Sequence, residues 1–583
     1  MTIVFKNLSK IYNGKIIFEN ISGKINDGEK VGIVGVNGVG KTTLMKVIMK
    51  SEDKDFGEIT YIPQNIRFGY LNQYASFDDT SVYDELLKSI PASNSLIYDA
   101  DSCKSRVKKI LLEAGFNEID FNKPASKLSG GEKTKLSICK TLMKDSDILV
   151  LDEPTNHLDM ESIKKLEDIL KNIKKTVIII SHDRQFLDNT VEKILEMNSN
   201  CLNEYRGNYS AYRLQKENLL KAQQKEYEKQ QNEIKHLKEI IENRKTWFES
   251  AHKSAGQNDF YRSKSKKHVS IMKSKEKQLK KLEDNKIEKP KPNMVGAYEY
   301  LMDTSERKLP QYIIRGGNIS KAFGENSIFQ DVSYDIKRGE KIALLGKNAS
   351  GKSTFIKMIL GKEKLDSGYI NINPSIKIAY FSQELTNLDF NNTVLDELLK
   401  ENIPIQHARL ILGSLLFRED DVFKKINDLS MGERCRVAFA KIIISSANML
   451  ILDEPTNYMD IISRERIEEI LKDYNGSVLL VSHDRYFVKK IANRIFEIEG
   501  SKLNIYEGNF EYYLSQKEET VKKEKLGNNY INIKDEIRRL ECEIAFISGK
   551  LGDPKLVPNE KAELDKKFIH ISRMLTEYKS IIN

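Results

Sequence analysis

Short, nearly uniform apolar runs recur along the chain. Val31 to Val34, Ile148 to Leu151, Val177 to Ile180, Ile342 to Leu345 and Val478 to Val481 each end at a glycine, an acidic pair or a serine-histidine dipeptide. Runs of this length without polar alternation suit strands covered on both faces, as in a parallel sheet flanked by helices. The stretches Thr43 to Met49 and Thr354 to Leu360 carry helical periodicity directly after two of these strands. A different pattern fills the middle of the chain. From Tyr212 to about Phe248 a Gly- and Pro-free run rich in Gln, Glu, Lys and Leu predicts one helix of roughly 55 Å at 1.5 Å per residue. A second helix, Ser263 to about Asn285, returns from a turn near Gly256, giving a helical hairpin. After the second set of strands, Glu518 to Gly549 and Glu560 to Ile582 are charged and periodically apolar, broken by Gly552, Asp553 and Pro554, and predict a second helical hairpin.

The pattern is written twice. G-V-N-G-V-G-K-T at Gly35 to Thr42 recurs as G-K-N-A-S-G-K-S at Gly346 to Ser353, an offset of 311. Gln73 matches Gln383 at an offset of 310, and Ser129, Asp152 and His182 match Ser430, Asp453 and His483 at 301, so the second copy is nine residues shorter after its glutamine. Each glycine-rich stretch follows a strand and opens a helix, the context of a phosphate-binding loop. Backbone N–H groups from Gly35, Asn37, Gly38 and Gly40, and from Gly346, Asn348 and Gly351, then face phosphate oxygens with the helix N-terminus behind them. Lys41 and Lys352 reach the terminal phosphates, Thr42 and Ser353 ligate Mg²⁺, and Thr43 and Thr354, opening the helix, are further nucleotide-binding residues. The expected ligands are ATP and Mg²⁺. The fold class is α/β: two tandem P-loop ATPase domains joined by a long α-helical hairpin, with a C-terminal helical extension. The predicted bounds are 1–207 and 313–515 for the ATPase domains, 208–312 for the linker and 516–583 for the extension.

L-S-G-G-E at Leu128 to Glu132 and L-D-E-P-T-N-H-L-D at Leu151 to Asp159, repeated as L-S-M-G-E at Leu429 to Glu433 and L-D-E-P-T-N-Y-M-D at Leu452 to Asp460, resemble the ABC ATPases in both halves. E-P-T-N after the acidic pair, two cassettes in one chain and a long charged linker resemble the ABC-F family more narrowly. The resemblance implies ribosome binding and makes Glu153 and Glu454 the catalytic glutamates. A carboxylate in hydrogen-bond reach of the attacking water suits that role. Asp152 and Asp453 are delivered to the magnesium by their strands, and Gln73 and Gln383 resemble glutamines that sense Mg²⁺ and water. His182 and His483, in S-H-D-R, resemble switch histidines, while Tyr12 and Phe323 look like aromatics that stack on adenine. ATP would be sandwiched between one half's phosphate loop and the other's signature. Ser129, Gly130 and Gly131 then complete the Lys352 site, and Ser430 and Gly432 the Lys41 site. Met431 departs from the family's glycine.

Composition sharpens this picture at the linker. The whole chain of 583 residues has a formal charge of +9, and the segment from Arg244 to Lys281 alone holds twelve Lys or Arg against three acids. A spacer needs no such concentration, whereas a probe of an RNA-lined cavity does. The predicted tip, Trp247 to Arg262, mixes Trp247, Phe248, Phe260 and Tyr261 with Lys253 and Arg262, and Lys264, Lys266 and Lys267 follow on the return helix, side chains that suit stacking on unpaired bases and neutralising phosphates. In ABC-F proteins the linker enters through the tRNA exit site toward the peptidyl-transferase centre. W-F-x-x-A-H-K at Trp247 to Lys253 and the short Gln73 to Leu128 segment look like the antibiotic-resistance, ribosome-protection subgroup. The implied partners are the bacterial 70S ribosome, its 23S rRNA and tRNA. A housekeeping translation factor, a DNA-handling ATPase and the ATP-binding subunit of a transporter are the rival readings. No apolar run approaches the roughly 20 residues of a membrane helix, and five scattered cysteines lack disulfide or metal spacing. The expectation is a cytoplasmic monomer without an obligatory transmembrane subunit, its two cassettes pairing within the chain.

Overall fold

The computed structural model describes residues 1–71, 77–90, 100–156, 158–254, 259–287, 310–382, 384–385, 388–418, 420–526, 529–551 and 558–582; within these, side chains are described except at 100–103, 251–254, 259–268, 521–526, 529–535, 558–560, 562 and 580–582. The first half contains β1 (Thr2–Tyr12), β2 (Lys15–Asn26), β3 (Lys30–Val34), β4 (Phe56–Ile62), β5 (Phe68–Leu71), β6 (Ile148–Asp152), β7 (Thr176–Ile180), β8 (Lys193–Met197) and β9 (Leu202–Arg206). They form a small antiparallel sheet, β2-β1-β4, and a larger sheet, β5-β6-β7-β3-β8-β9, parallel except for the β8–β9 pair. β6, β7 and β8 are buried at every position, which explains the apolar runs of β6 and β7; in β8 the buried Lys193 and Glu196 are paired, with Glu29 at 3.3 Å and with Lys216.

The second half repeats the plan with β10 (Tyr312–Phe323), β11 (Asn326–Lys337), β12 (Lys341–Gly346), β13 (Ser367–Ile372), β14 (Ile378–Phe381), β15 (Met449–Asp453), β16 (Ser477–Val481), β17 (Arg494–Glu499) and β18 (Lys502–Tyr506). Its sheets are β11-β10-β13 and β14-β15-β16-β12-β17-β18. In both large sheets the strand before the phosphate loop lies beside the strand that ends at the histidine motif, and the strand of the acidic pair is next in line. The chemistry-bearing residues therefore meet at the C-terminal edges of neighbouring parallel strands, where open α/β sheets bind ligands.

The linker begins with a helix of 46 residues, Tyr209–Ser254, longer at both ends than the predicted Tyr212 to Phe248. Its start is anchored because Tyr209 and Tyr212 are buried, with the Tyr212 hydroxyl donating to Glu196 at 3.0 Å. The returning helix spans Asp259–Asp284 rather than Ser263 to Asn285. Gln230 joins the two: its amide donates to the Asn285 carbonyl at 2.8 Å and its carbonyl accepts from the Ile287 N–H at 2.9 Å.

In the C-terminal region the described helices are Phe510–Leu526, Asn529–Leu551 and Pro558–Ile582, with 527–528 and 552–557 outside the described residues. Leu540, Ile547 and Ile571 form a small core between the last two helices. No helix among the described residues is long and apolar enough to cross a membrane.

Candidate functional site

Each phosphate loop is held by backbone geometry that only glycine provides without strain. Gly40 and Gly351 sit at φ 96° and 103°, and a Cβ there would lie 2.6 Å from Ile17 Cγ2 or 2.4 Å from Ile328 Cγ2. Each loop leads into a helix, Lys41–Ile48 or Lys352–Ile359, whose first N–H groups are suited to hold an anion. Lys41 Nζ donates to the carbonyls of Gly35 (2.8 Å) and Val36 (3.1 Å), and Lys352 Nζ to those of Gly346 (2.8 Å) and Lys347 (2.9 Å). Burial lowers the pKa of both lysines, so a phosphate that compensates the ammonium meets a favourable field.

One step beyond each lysine is a hydroxyl facing the carboxylate at the end of the acidic strand. Thr42 Oγ1 donates to Asp152 Oδ2 at 2.8 Å, and Ser353 Oγ to Asp453 Oδ2 at 3.5 Å. Burial raises the pKa of both aspartates. A buried carboxylate beside a hydroxyl oxygen is a hard-oxygen donor set that fits Mg²⁺.

The following glutamates stand in left-handed backbone, Glu153 at φ 49° and Glu454 at φ 50°. Burial pushes Glu153 up to about 7 against the opposing charges of Arg464 and Lys41, and Glu454 up to about 8 against Lys352. Their Oε1 atoms lie 3.6 Å from His182 Nε2 and 3.5 Å from His483 Nε2. Burial, reinforced by the nearby lysine, moves both histidines downward, His483 to about 4. The imidazoles are therefore neutral beside the glutamates at pH 7.

Residues from the two halves complete each site together. A cavity of about 1100 Å³ is lined by Lys352, Ser353, Glu454 and His483 from the second half and by Ser129, Gly130 and Gly131 from the first. Phe323, Asn348, Gly351 and Thr354 also border it. Ser129 caps the helix Gly130–Met143 in a reciprocal pair with Glu132, which points that helix N-terminus at the cavity. Ser430 does the same with Glu433 for the helix Met431–Ile444. On the Lys41 side, a Cβ at Gly432 would lie 2.6 Å from the Tyr458 carbonyl and 3.3 Å from Asn37 Nδ2. Asn37 joins both halves: its amide donates to the Tyr458 carbonyl (2.9 Å), its N–H to Asp460 Oδ2 (3.2 Å), and its Oδ1 lies 3.0 Å from His182 Nε2. Asp159 accepts the mirrored backbone bond from Asn348.

Tyr12 and Phe323 hold matching positions at the ends of β1 and β10, 40% and 49% exposed, each with a lysine ammonium about its ring, Lys10 at 5.1 Å and Lys321 at 4.9 Å. The Tyr12 hydroxyl also donates to Glu52. Gln73 and Gln383 lie outside the described residues. Trp247 and Phe248 are half-buried in the last two turns of the first linker helix. The side chains of Lys253, Phe260, Tyr261, Arg262, Lys264, Lys266 and Lys267 lie outside the described residues, on the two linker helices.

The ABC transporter family model matches residues 18–156 and 329–457, and a second ABC transporter model, for the extension, matches 195–296. The protein "ABC transporter F family member 5" of Arabidopsis thaliana is 33% identical over 557 residues, 88% of this chain and 77% of its own. The chain belongs to the ABC-F family. As an ABC-F protein it is an ATPase, and its cassettes bind ATP. A second relative, the "Ribosome protection protein VmlR" of Bacillus subtilis, is 34% identical over 584 residues, covering 99% of this chain and 98% of that one. Among solved structures, the RNase-L Inhibitor superposes with a TM-score of 0.61 at 18% identity over 89% of this chain and 93% of its own, a likeness of fold.

Asp159, Asp460 and Arg464 had no role assigned from sequence. The two aspartates stand in the duplicated E-P-T-N-x-x-D run, and that repetition was the available signal. Arg464 gave none, because its repeat partner is Ile163.

Proposed function

We propose that this ABC-F ATPase binds the bacterial ribosome in its ATP-closed form, carries the basic and aromatic linker tip toward the peptidyl-transferase centre, and protects the ribosome from lincosamide, pleuromutilin or streptogramin A antibiotics. The observation that carries the reading is the match to VmlR, whose name is that of a ribosome protection protein, over nearly the full length of both chains, linker included. The charge of the segment from Arg244 to Lys281 adds support, since twelve basic side chains against three acids favour an RNA surface.

In this reading each ATP lies between one half's phosphate loop and the other's capped signature helix. Lys41 and Lys352 hold the terminal phosphates. Thr42 with Asp152, and Ser353 with Asp453, would hold Mg²⁺ together with Gln73 and Gln383; the ion neutralises charge on the transferring phosphoryl group. Glu153 and Glu454 orient or deprotonate the attacking water, and the neutral His182 and His483 fix the glutamate or water and face the γ-phosphate. Tyr12 and Phe323 stack on adenine. Closure places each signature on its nucleotide, and hydrolysis lets the halves part and the protein leave.

A translation extract inhibited by each drug class tests the protective role. The wild-type protein with ATP restores synthesis for at least one class, and Phe248→Ala does not. Restoration by neither protein, with stalled synthesis relieved in the absence of drug, would replace protection by a housekeeping role in translation.

A further inference from the structure

The seam between the two halves carries buried ion pairs that obey the internal repeat and a buried arginine that does not. Arg184 forks onto Glu468, with Nη1 to Oε2 at 3.2 Å, and Arg485 pairs with Glu167 in the reciprocal arrangement. The repeat exchanges 184 with 485 and 167 with 468, so these pairs tie the halves together without distinguishing them. Arg464 breaks the rule. It stands in the first turn of the helix Ile461–Asp473, is 7% exposed, and its repeat partner is Ile163, an apolar residue of the first half's core.

The Arg464 guanidinium is shared between the two ATP sites. Its Nη1 donates to the His182 carbonyl at 3.0 Å and to Asp484 Oδ2 at 3.2 Å, and its Nε donates to the Met459 carbonyl at 3.0 Å. His182 belongs to the Lys41 site, where its Nε2 lies 3.6 Å from Glu153 Oε1. Met459 precedes Asp460, which accepts the Asn37 N–H of that site's phosphate loop. Asp484 follows His483 and, with Arg464 itself, lines the cavity of Lys352 and Glu454. The two histidine motifs also sense each other directly, since burial and then the charge of Asp484 raise the pKa of Asp183, against Arg485 and Arg464. Ile163 has no donor, so the repeat does not supply a mirrored connection through that position.

We propose that Arg464 is a positioning residue through which nucleotide at one ATP site favours nucleotide at the other. A guanidinium buried this far loses more when one acceptor leaves than an ordinary hydrogen bond contributes, because a charged donor is left unpaired. The arrangement with both histidine motifs seated on Arg464 is therefore favoured over either arrangement with one of them seated. Nucleotide that seats His483 steadies Asp484 and with it Arg464, and Arg464 then holds the His182 backbone where its ring meets Glu153. Linkage makes the effect reciprocal, so the Lys41 site acts on the Lys352 site by the same factor. The inference rests on the reading of both loops as ATP sites, which the number of nucleotides bound checks separately.

Equilibrium dialysis of Mg-ATP on the full chain tests it, with Glu153→Gln and Glu454→Gln present to prevent hydrolysis. Single-site dissociation constants come from the Lys352→Ala and Lys41→Ala derivatives. Their product, divided by the product of the two constants of the parent, is the coupling factor, expected to be about tenfold or more with two ATP bound per chain. Arg464→Met removes the guanidinium, and Asp484→Asn keeps the oxygen that caps the Phe487 N–H while removing the charge that holds Arg464. In each the factor is expected to fall to about twofold or less with two ATP still bound. Glu167→Gln weakens a seam pair that Arg464 does not join, and is expected to keep the factor within about twofold of the parent. Should Arg464→Met fail to fold, judged by its thermal midpoint, Asp484→Asn decides alone. A factor near one in the parent, a parent-like factor in either folded variant, or an equal loss in Glu167→Gln would overturn the inference. Fewer than two ATP bound by the parent would overturn the reading of the two sites, and the inference with it.

Discussion

Glu153 and Glu454 hold a left-handed backbone that costs a non-glycine residue about 1 kcal/mol, and strain of this kind collects where the surrounding structure fixes a functional group. Both glutamates follow a fully buried strand and sit within hydrogen-bonding distance of a histidine backbone, Glu153 Oε2 accepting from the His182 N–H and Glu454 Oε2 from the His483 N–H, each at 3.4 Å. Replacing both with glutamine preserves shape and nucleotide binding while removing the base. Steady-state phosphate release from the double variant is expected to fall about 100-fold or more, with ATP affinity retained in equilibrium dialysis. A second residue-level test concerns the loops. Gly351→Val places a branched side chain at φ 103° against Ile328, and differential scanning is expected to report a loss of about 2–4 kcal/mol together with loss of ATP at the second site. Lysine, aspartate, glutamate and histidine of both sites were legible in the sequence because each is duplicated in a fixed motif. Asn37 as a link between halves was not, since its partners Tyr458 and Asp460 lie more than 400 positions away and become neighbours only when the halves pack.

Elements were legible where a single physical rule governs them. Uniform apolar runs marked the buried strands, and the absence of Gly and Pro marked the linker helix. Its start was misjudged because a tertiary anchor sets it: Tyr209 and Tyr212 bury themselves against the first half and extend the helix backward. In the C-terminal region, the charged and periodically apolar pattern marked helices that the structure describes at Asn529–Leu551 and Pro558–Ile582. The last two helices share their own small core, so that core can be broken locally. Ile547→Asp, which puts a charge among Leu540 and Ile571, is expected to expose 529–582 to limited proteolysis while the ATPase rate stays within about twofold of wild type. A collapse of ATPase activity in this variant would mean that the C-terminal helices support the cassettes themselves.

At the scale of the whole molecule, two repeated halves are joined by a linker that neither repeats. Duplication made the pairing of cassettes legible, and the charge of the linker is the sequence feature on which the proposed RNA partner rests. The ion pairs of the seam were invisible, because Arg184 and Glu468 are ordinary charged residues on amphipathic helices until they face each other in the interior. Lys264, Lys266 and Lys267 belong to the basic segment, and replacing all three with alanine is expected to weaken ribosome binding and reduce its dependence on salt by up to about three released counterions. Co-sedimentation across a salt series reads this directly. The central claim is that ATP binding closes the two halves into the form that occupies the ribosome. Sedimentation of the Glu153→Gln, Glu454→Gln double variant with purified 70S ribosomes, with and without Mg-ATP, tests it most directly. The account predicts near-stoichiometric pelleting with ATP and little without it; an equal amount in the pellet under both conditions, or none in either, would contradict it.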